Sequence, residues 1–158
     1  MNNIKRAKDY IIDALFMLMK KKKYEDITIT DIAEKSGVTR ITFYRNFESK
    51  DDIIKQHLKN IFSEYKWNDN LDVGYQIFDF FVQNKATIDL LYKSNLQIFL
   101  IDNILIHFDY KKDDPSAIAY SKVMAAYIIF GLCDEWYKRG MRESPENILN
   151  LMNNQKEQ

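Results

Sequence analysis

Apolar residues recur at helical spacing along most of the chain. Ile4, Ala7, Ile11, Ala14, Leu15 and Leu18 fall on one face of a helix over about Asn3 to Lys21. Its last turn is rich in lysine, which the negative end of a helix favours. Thr28 followed three residues later by Asp31 is a capping-box start for a second helix, and Gly37 is its natural stop. Thr39 caps a third helix, Arg40 to about Asn46. Ser49 with Asp52 opens a fourth, about Lys50 to Tyr65, with Ile53, Ile54, Leu58, Ile61 and Phe62 as its apolar set. Further helices are expected from Asp69–Asp72 to about Asn84, from Thr87 to Tyr92, and from Asn95 to Phe108. Asp109–Asp114 reads as a charged loop. Asp114-Pro115 and Ser144-Pro145 are cap-plus-proline signatures. They open helices that run to about Arg139, stopped by Gly140, and from Glu146 to about Met152.

The pattern gives an all-α fold of about nine helices, and composition agrees. Four Gly and two Pro are too few for the turns of an all-β protein. A hydrophobic share of 46% supplies a core and excludes general disorder. The single cysteine, Cys133, excludes an internal disulfide framework and a cysteine-rich zinc site. No uninterrupted apolar run approaches the ~18–20 residues that span a bilayer, and the charged start lacks a signal-peptide core. A cytoplasmic protein without a membrane partner is expected. Net charge is zero, yet residues 1–66 carry 14 Lys/Arg against 10 Asp/Glu, and residues 67–158 carry 9 against 13. That polarity suggests two roles in two places.

Residues 28–47 meet the requirements of a helix-turn-helix. Ala33 is small where two helices cross, and Gly37 sits four residues later at the turn. Ile32, Val38, Phe43 and Phe47 point inward, leaving Thr39, Arg40, Thr42, Tyr44 and Arg45 on a free polar face. The run from Ile27 to Ile54, above all Thr42-Phe43-Tyr44 followed by Phe47 and Ser49-Lys50, resembles the N-terminal domain of TetR/AcrR-type transcriptional regulators. The resemblance covers about residues 8–60. Gly131, Trp136, Gly140 and Ser144-Pro145-Glu146 resemble the closing helices of a sub-group that contains the activator protein of dihydroxyacetone kinase operons.

The resemblance implies double-stranded DNA as partner and a role for each position. Thr28 would meet a phosphate. Thr39, Arg40, Ile41, Thr42, Tyr44 and Arg45 would face the DNA, with Arg40 and Arg45 as candidates for guanine. Lys50 would pair with a phosphate. Asn46 stands where the family usually has His or Tyr, which shortens that contact. Lys22 and Lys23 stand where it usually has glycine before the aromatic Tyr24, so the loop must differ in shape or strain a lysine.

Domains are expected at 1–48 (helix-turn-helix), 49–66 (connecting helix) and 67–158 (a helical bundle for dimerisation and ligand binding). Tyr75, Phe78, Phe81, Tyr92, Phe99, Phe108, Tyr120 and Tyr127 are candidates for a ligand pocket, or else ordinary core. One recognition helix reads too few base pairs for useful specificity, so a homodimer is expected. Ala117, Tyr120, Met124, Ala125, Ile128, Gly131, Leu132 and Trp136 are its interface candidates, about half of which would instead face the core. Lys20–Lys23 reads as a solvated helix end. His57, His107, Cys133 and Asp134-Glu135 form no catalytic pattern, and no cofactor, metal or enzyme chemistry is indicated. The reading is a regulator, most simply a repressor, open to a small-molecule effector. The alternative is a co-regulator whose C-terminal part docks a partner protein.

Overall fold

The computed structural model describes residues 6–154. Ile4 of the first predicted helix and the tail after Asn154 lie outside the described residues, as do the side chains from residue 151 onward. The described residues form nine α-helices, one short 3-10 turn and no strand. The described residues divide into two compact units, those up to Phe62 with 86–99, and 63–85 with those from Leu100 on.

The first unit holds α1 (Ala7–Met19), α2 (Ile29–Ser36), α3 (Arg40–Tyr44), most of α4 (Lys50–Glu64) and α6 (Lys85–Lys93) with the 3-10 turn Gln97–Phe99. Its core is Ile11, Leu15, Met19, Ile27, Ile32, Phe43, Ile53, Ile54 and Leu58, with Ile88 and Leu91 supplied by α6. The sequence signals that start and stop α2 work as expected. Thr28 Oγ1 accepts the Asp31 N–H at 3.1 Å, and the Asp31 carboxylate returns to the Thr28 N–H at 2.7 Å. Gly37 ends the helix at φ +71°, in space where an added Cβ would meet nothing within 4 Å. Gly37→Ala should therefore cost only the left-handed backbone penalty of about 1–2 kcal/mol. Urea unfolding should show a lower midpoint at an unchanged slope.

The loop before Tyr24 resolves the departure seen in the sequence. Neither Lys22 nor Lys23 adopts positive φ. Lys21 and Lys22 instead donate their N–H groups to Leu18 O, at 2.9 and 3.0 Å, and wind the helix end down without a glycine.

The second unit holds α5 (Val73–Gln83), α7 (Leu100–His107), α8 (Ser116–Lys138) and α9 (Pro145–Asn154). Ile77, Phe78, Phe80, Phe81, Leu100, Ile104, Ala126, Cys133 and Trp136 are buried. Gly74 marks a close approach: a Cβ there would lie 3.0 Å from Ile129 and 3.2 Å from Leu149. Gln76, also buried, is satisfied by the Asn68 N–H (2.7 Å) and by the Asn68 and Leu71 carbonyls. Burial pushes the Cys133 thiol well above its ordinary pKa, so it stays protonated and inert.

Two expectations need correction. The apolar stretch from Asn95 is not one helix: Asn95 takes φ +55° and the Leu96 N–H closes on Leu91 O at 2.8 Å, so α6 ends there and α7 begins afresh at Leu100. Asp114 does not cap α8. Pro115 is the N-cap, and the Asp114 carboxylate accepts from the Lys111 N–H (2.9 Å) and Lys122 Nζ (3.0 Å) instead. Ser144 does cap α9, through the Asn147 N–H at 3.2 Å. By length and composition alone α8 is also long and apolar enough to cross a membrane, with Lys122 interrupting its first 18 residues.

Candidate nucleic-acid interface

The interface is built on α2 and α3. Ile32 and Ala33 of α2 are buried, and Val38 leads out of the turn half-buried. The Val38 N–H returns to Ala33 O at 3.0 Å, which fixes the angle at which α3 departs. Thr39 caps α3 by accepting the Thr42 N–H at 3.1 Å. Phe43 is fully buried, with the Phe47 ring 6.4 Å away. The helical stretch stops at Tyr44, shorter than expected, but Arg45 keeps helical dihedrals as the C-cap.

With Phe43 holding one side of α3 inward, the opposite side is open. Arg40 and Arg45 are exposed, and neither has an ion pair among the described residues. Ile41 is 67% exposed and Tyr44 52%. A large aliphatic side chain this exposed on a helix flanked by free arginines suits contact with the apolar and acceptor groups of a major groove. Thr42 is half-buried, with its hydroxyl 3.0 Å from that of Thr39.

The remaining candidates around α3 are engaged within the protein. Asn46 Nδ2 donates to Thr42 O at 2.7 Å, closing the end of α3. Lys50 Nζ donates to Tyr24 O at 2.7 Å and lies 4.5 Å from the centre of the Tyr24 ring. The Tyr24 hydroxyl donates to Asp51 Oδ1. Burial and that carboxylate push the phenol far above its usual pKa, so it stays a donor. Thr28 is exposed at the start of α2, but Asp31 Oδ2 lies 2.8 Å from its hydroxyl, and Lys22 Nζ lies 2.7 Å from the same oxygen. Sequence reasoning missed this Lys22–Asp31 pair. The capping box revealed Asp31, but nothing local pointed back nine residues to its partner.

In the second unit the aromatic candidates do not converge on one cavity. Phe78 and Phe81 are fully buried, and Phe78 meets Trp136 edge-on at 4.9 Å. Tyr92 and Phe99 belong to the first unit, where Lys55 Nζ lies 5.2 Å from the Phe99 ring. Phe108 lines an open cleft of about 390 Å³ with Trp67, Gln76 and His107, and Tyr75 lines an adjoining one of about 490 Å³ with Tyr65 and Asp79, the two sharing Asn68, Leu71 and Gln76. Tyr120 and Tyr127 stand at the surface.

The α8 candidates separate by face. Ala117, Tyr120, Met124, Tyr127 and Gly131, spaced three and four residues apart, are exposed, as is Ile128. Tyr120 is 76% and Met124 62% exposed. Ala125 and Leu132 are half-buried at the margin. Trp136 turns inward, its Nε1–H donating to Glu143 O at 2.8 Å, so it belongs to the core. Among the described residues, no group of three or more His, Cys, Asp and Glu side chains is arranged to hold a metal ion.

Residues 11–56 match the profile of the "Bacterial regulatory proteins, tetR family". That stretch contains the whole of α2, the turn and α3, so the chain carries a TetR-type N-terminal domain. It is 32% identical over 83 residues to the biofilm operon icaADBC HTH-type negative transcriptional regulator IcaR of Staphylococcus aureus, covering 46% of this chain and 45% of that protein. It is 39% identical over 54 residues to the uncharacterized HTH-type transcriptional regulator YvkB of Bacillus subtilis, covering 32% of this chain and 29% of that protein. The matched stretches thus span less than half the length of these relatives. The crystal structure of Lin0861 from Listeria innocua shares the fold over 99% of this chain and 94% of its own, with a TM-score of 0.74 at 14% identity. The fatty acid degradation regulator FadR from Bacillus halodurans shares it more loosely, with a TM-score of 0.53 at 13% identity over 94% and 93%.

Proposed function

We propose that this chain is a sequence-specific DNA-binding transcriptional regulator of the TetR type, acting in the cytoplasm as a repressor on a palindromic operator. The observation that carries the reading is the division of α3. Phe43 anchors it, Ile41 and Arg45 stand exposed on the opposite side, and Arg40 and Tyr44 are exposed on its flanks, Tyr44 with its ring 5.4 Å edge-on from that of Phe43. In a helix-turn-helix the second helix enters the major groove and the first crosses the backbone. Phosphate contacts then set register, and base contacts set sequence preference. A negative role is supported by the likeness to IcaR, a negative regulator by its description.

Binding as a homodimer supplies the second half-site. The exposed row on α8 supports it, since an apolar stripe at three-four spacing is what a helix presents to a partner helix. A small ligand would regulate the dimer by binding better to one spacing of the two recognition helices than to the other. A second reading rests on the same row. The closing segment Gly131, Trp136, Gly140 and Ser144-Pro145-Glu146 resembles the sub-group that contains the dihydroxyacetone kinase operon activator. On that reading the row docks a non-self protein, and the chain acts as a co-regulator. Neither reading asks catalysis of any residue.

Selection of bound fragments from sheared genomic DNA, with wild type beside Arg45→Ala at near-physiological salt, tests the proposal. Wild type should enrich a palindrome. Arg45→Ala should lose about 1–3 kcal/mol on that site and relax preference at one base pair of each half-site. Equal loss on every duplex would assign Arg45 to the backbone instead. Binding should also weaken steeply with salt, because each neutralised phosphate releases counterions.

A further inference from the structure

His57 sits on α4, half-buried where α1 and α6 come together in the first unit. Phe16 of α1 packs on its ring, with centroids 4.3 Å apart. Thr87 of α6 reaches its rim, with Oγ1 3.3 Å from Nε2. The ring lines a cleft of about 140 Å³. Among the described residues, α1 brings Asp13 and Lys20 to that cleft as its charged side chains, and α6 brings Ala86, Thr87 and Leu90, none of them ionisable. Burial keeps a proton off the imidazole more strongly than Asp13 draws one on, so His57 titrates below the ordinary histidine value. The Thr87 contact does not choose between the two forms. A neutral Nε2 can accept the hydroxyl proton, and a protonated one donates to the hydroxyl oxygen. What the junction opposes is the charge itself, because seating α6 takes water away from the ring.

We infer that His57 makes the seating of α6 on α1 and α4 sensitive to acid: a proton on the ring loosens α6 and withdraws Ile88 and Leu91 from the core of the unit that carries α2 and α3. Both of those side chains are without exposed surface when α6 is seated. A loosened α6 leaves His57 in water, where it takes up a proton more readily than in the seated state. The seated state is therefore fully stable above the ordinary histidine value of about 6.5. It loses stability as pH falls from there through the lower value of the seated ring. The inference concerns the unit itself and stands whether or not DNA is its partner.

Hydrogen exchange of the α6 amides in the full chain, corrected for the intrinsic effect of pH, tests this between about pH 7.5 and about pH 5.5. Protection of α6 should fall about three- to tenfold, the ceiling set by a free imidazole that titrates near 6.5. The α2 amides should change much less. His57→Gln keeps a hydrogen-bonding partner for Thr87 but cannot take the charge, so the fall should vanish. Asp13→Asn removes the carboxylate that favours the proton, so the fall should deepen toward the ceiling. His107→Gln changes the chain's other histidine, which belongs to the second unit, and should leave the fall intact. Equal protection of wild-type α6 at both pH values overturns the inference, as does a fall that survives in His57→Gln. A fall of equal size in α2 and α6 also overturns it, because the whole unit then unfolds and α6 is not released alone. Where His57→Gln fails to fold, the wild-type ring decides: its titration followed by NMR should have a midpoint below the ordinary value, and a midpoint at or above that value overturns the inference.

Discussion

Truncating Phe43 to alanine should lower the stability of the first unit by about 3–5 kcal/mol, the largest stability effect of any single change in the recognition module. The ring is fully buried and sits in the short α3, which contributes no other buried side chain. A five-residue helix cannot persist on propensity alone. Its orientation therefore depends on this anchor, together with the Thr39 cap. Removing the ring leaves a cavity between α3 and the elements around it and removes the core contact that helps aim Arg40 and Arg45. Chemical denaturation should report the loss in stability, and duplex binding should fall further than stability alone explains. Phe43→Leu, which keeps most of the volume, should recover much of both. Unchanged binding by a folded Phe43→Ala protein would show that α3 is held by something other than its core side.

Met124→Glu should convert the proposed dimer to a monomer and lower operator affinity by about 10²- to 10⁴-fold, the gain normally supplied by linking two binding events. Met124 is 62% exposed at the centre of the row formed by Ala117, Tyr120, Tyr127 and Gly131. In a two-fold pair it would face its own counterpart or a close neighbour. A carboxylate there would be buried unpaired on both sides, which an apolar helix–helix contact does not tolerate. The monomer itself should fold as well as wild type, because the side chain contributes little to its own core. Sedimentation or light scattering at micromolar concentration reads the state directly. A wild-type protein that is already monomeric would turn the row over to a non-self partner.

The recognition module is legible in the sequence because its signals are local. Thr28, Gly37 and Thr39 each act on backbone groups within four residues, so a short window contains cause and effect. Phe43 and Arg45 separate into inward and outward sides by helical geometry alone. What is not legible depends on contacts far apart in the chain. Lys22 reads as part of a solvated lysine run, since its partner Asp31 is nine residues away across a loop. Lys50 reads as a phosphate ligand, while its ammonium group reaches back 26 residues to Tyr24 O. Along α8, Tyr120 and Trp136 are both large aromatics in one helix, and nothing in the residue types says that one faces out and the other in. That choice is made by Phe78 and the Glu143 carbonyl, which receive Trp136. The division of the chain is hidden for the same reason. Thr87 to Tyr92 reads as a short helix of the C-terminal half, yet Ala86, Thr87 and Leu90 line one small cleft with Ile12, Phe16 and His57. Thr87 Oγ1 lies 3.3 Å from His57 Nε2.

The place of α6 decides how such a reading head can be moved between proteins. The first unit is not a contiguous stretch: the chain leaves it after Phe62, returns at Ala86 and leaves again after Phe99. Ile88 and Leu91, both without exposed surface, arrive only on the return. A graft cut at the end of α4 would carry every residue proposed to touch DNA and still lack part of the core of their unit. The portable piece ends at residue 99, and a recipient body joined any earlier must bring its own version of α6.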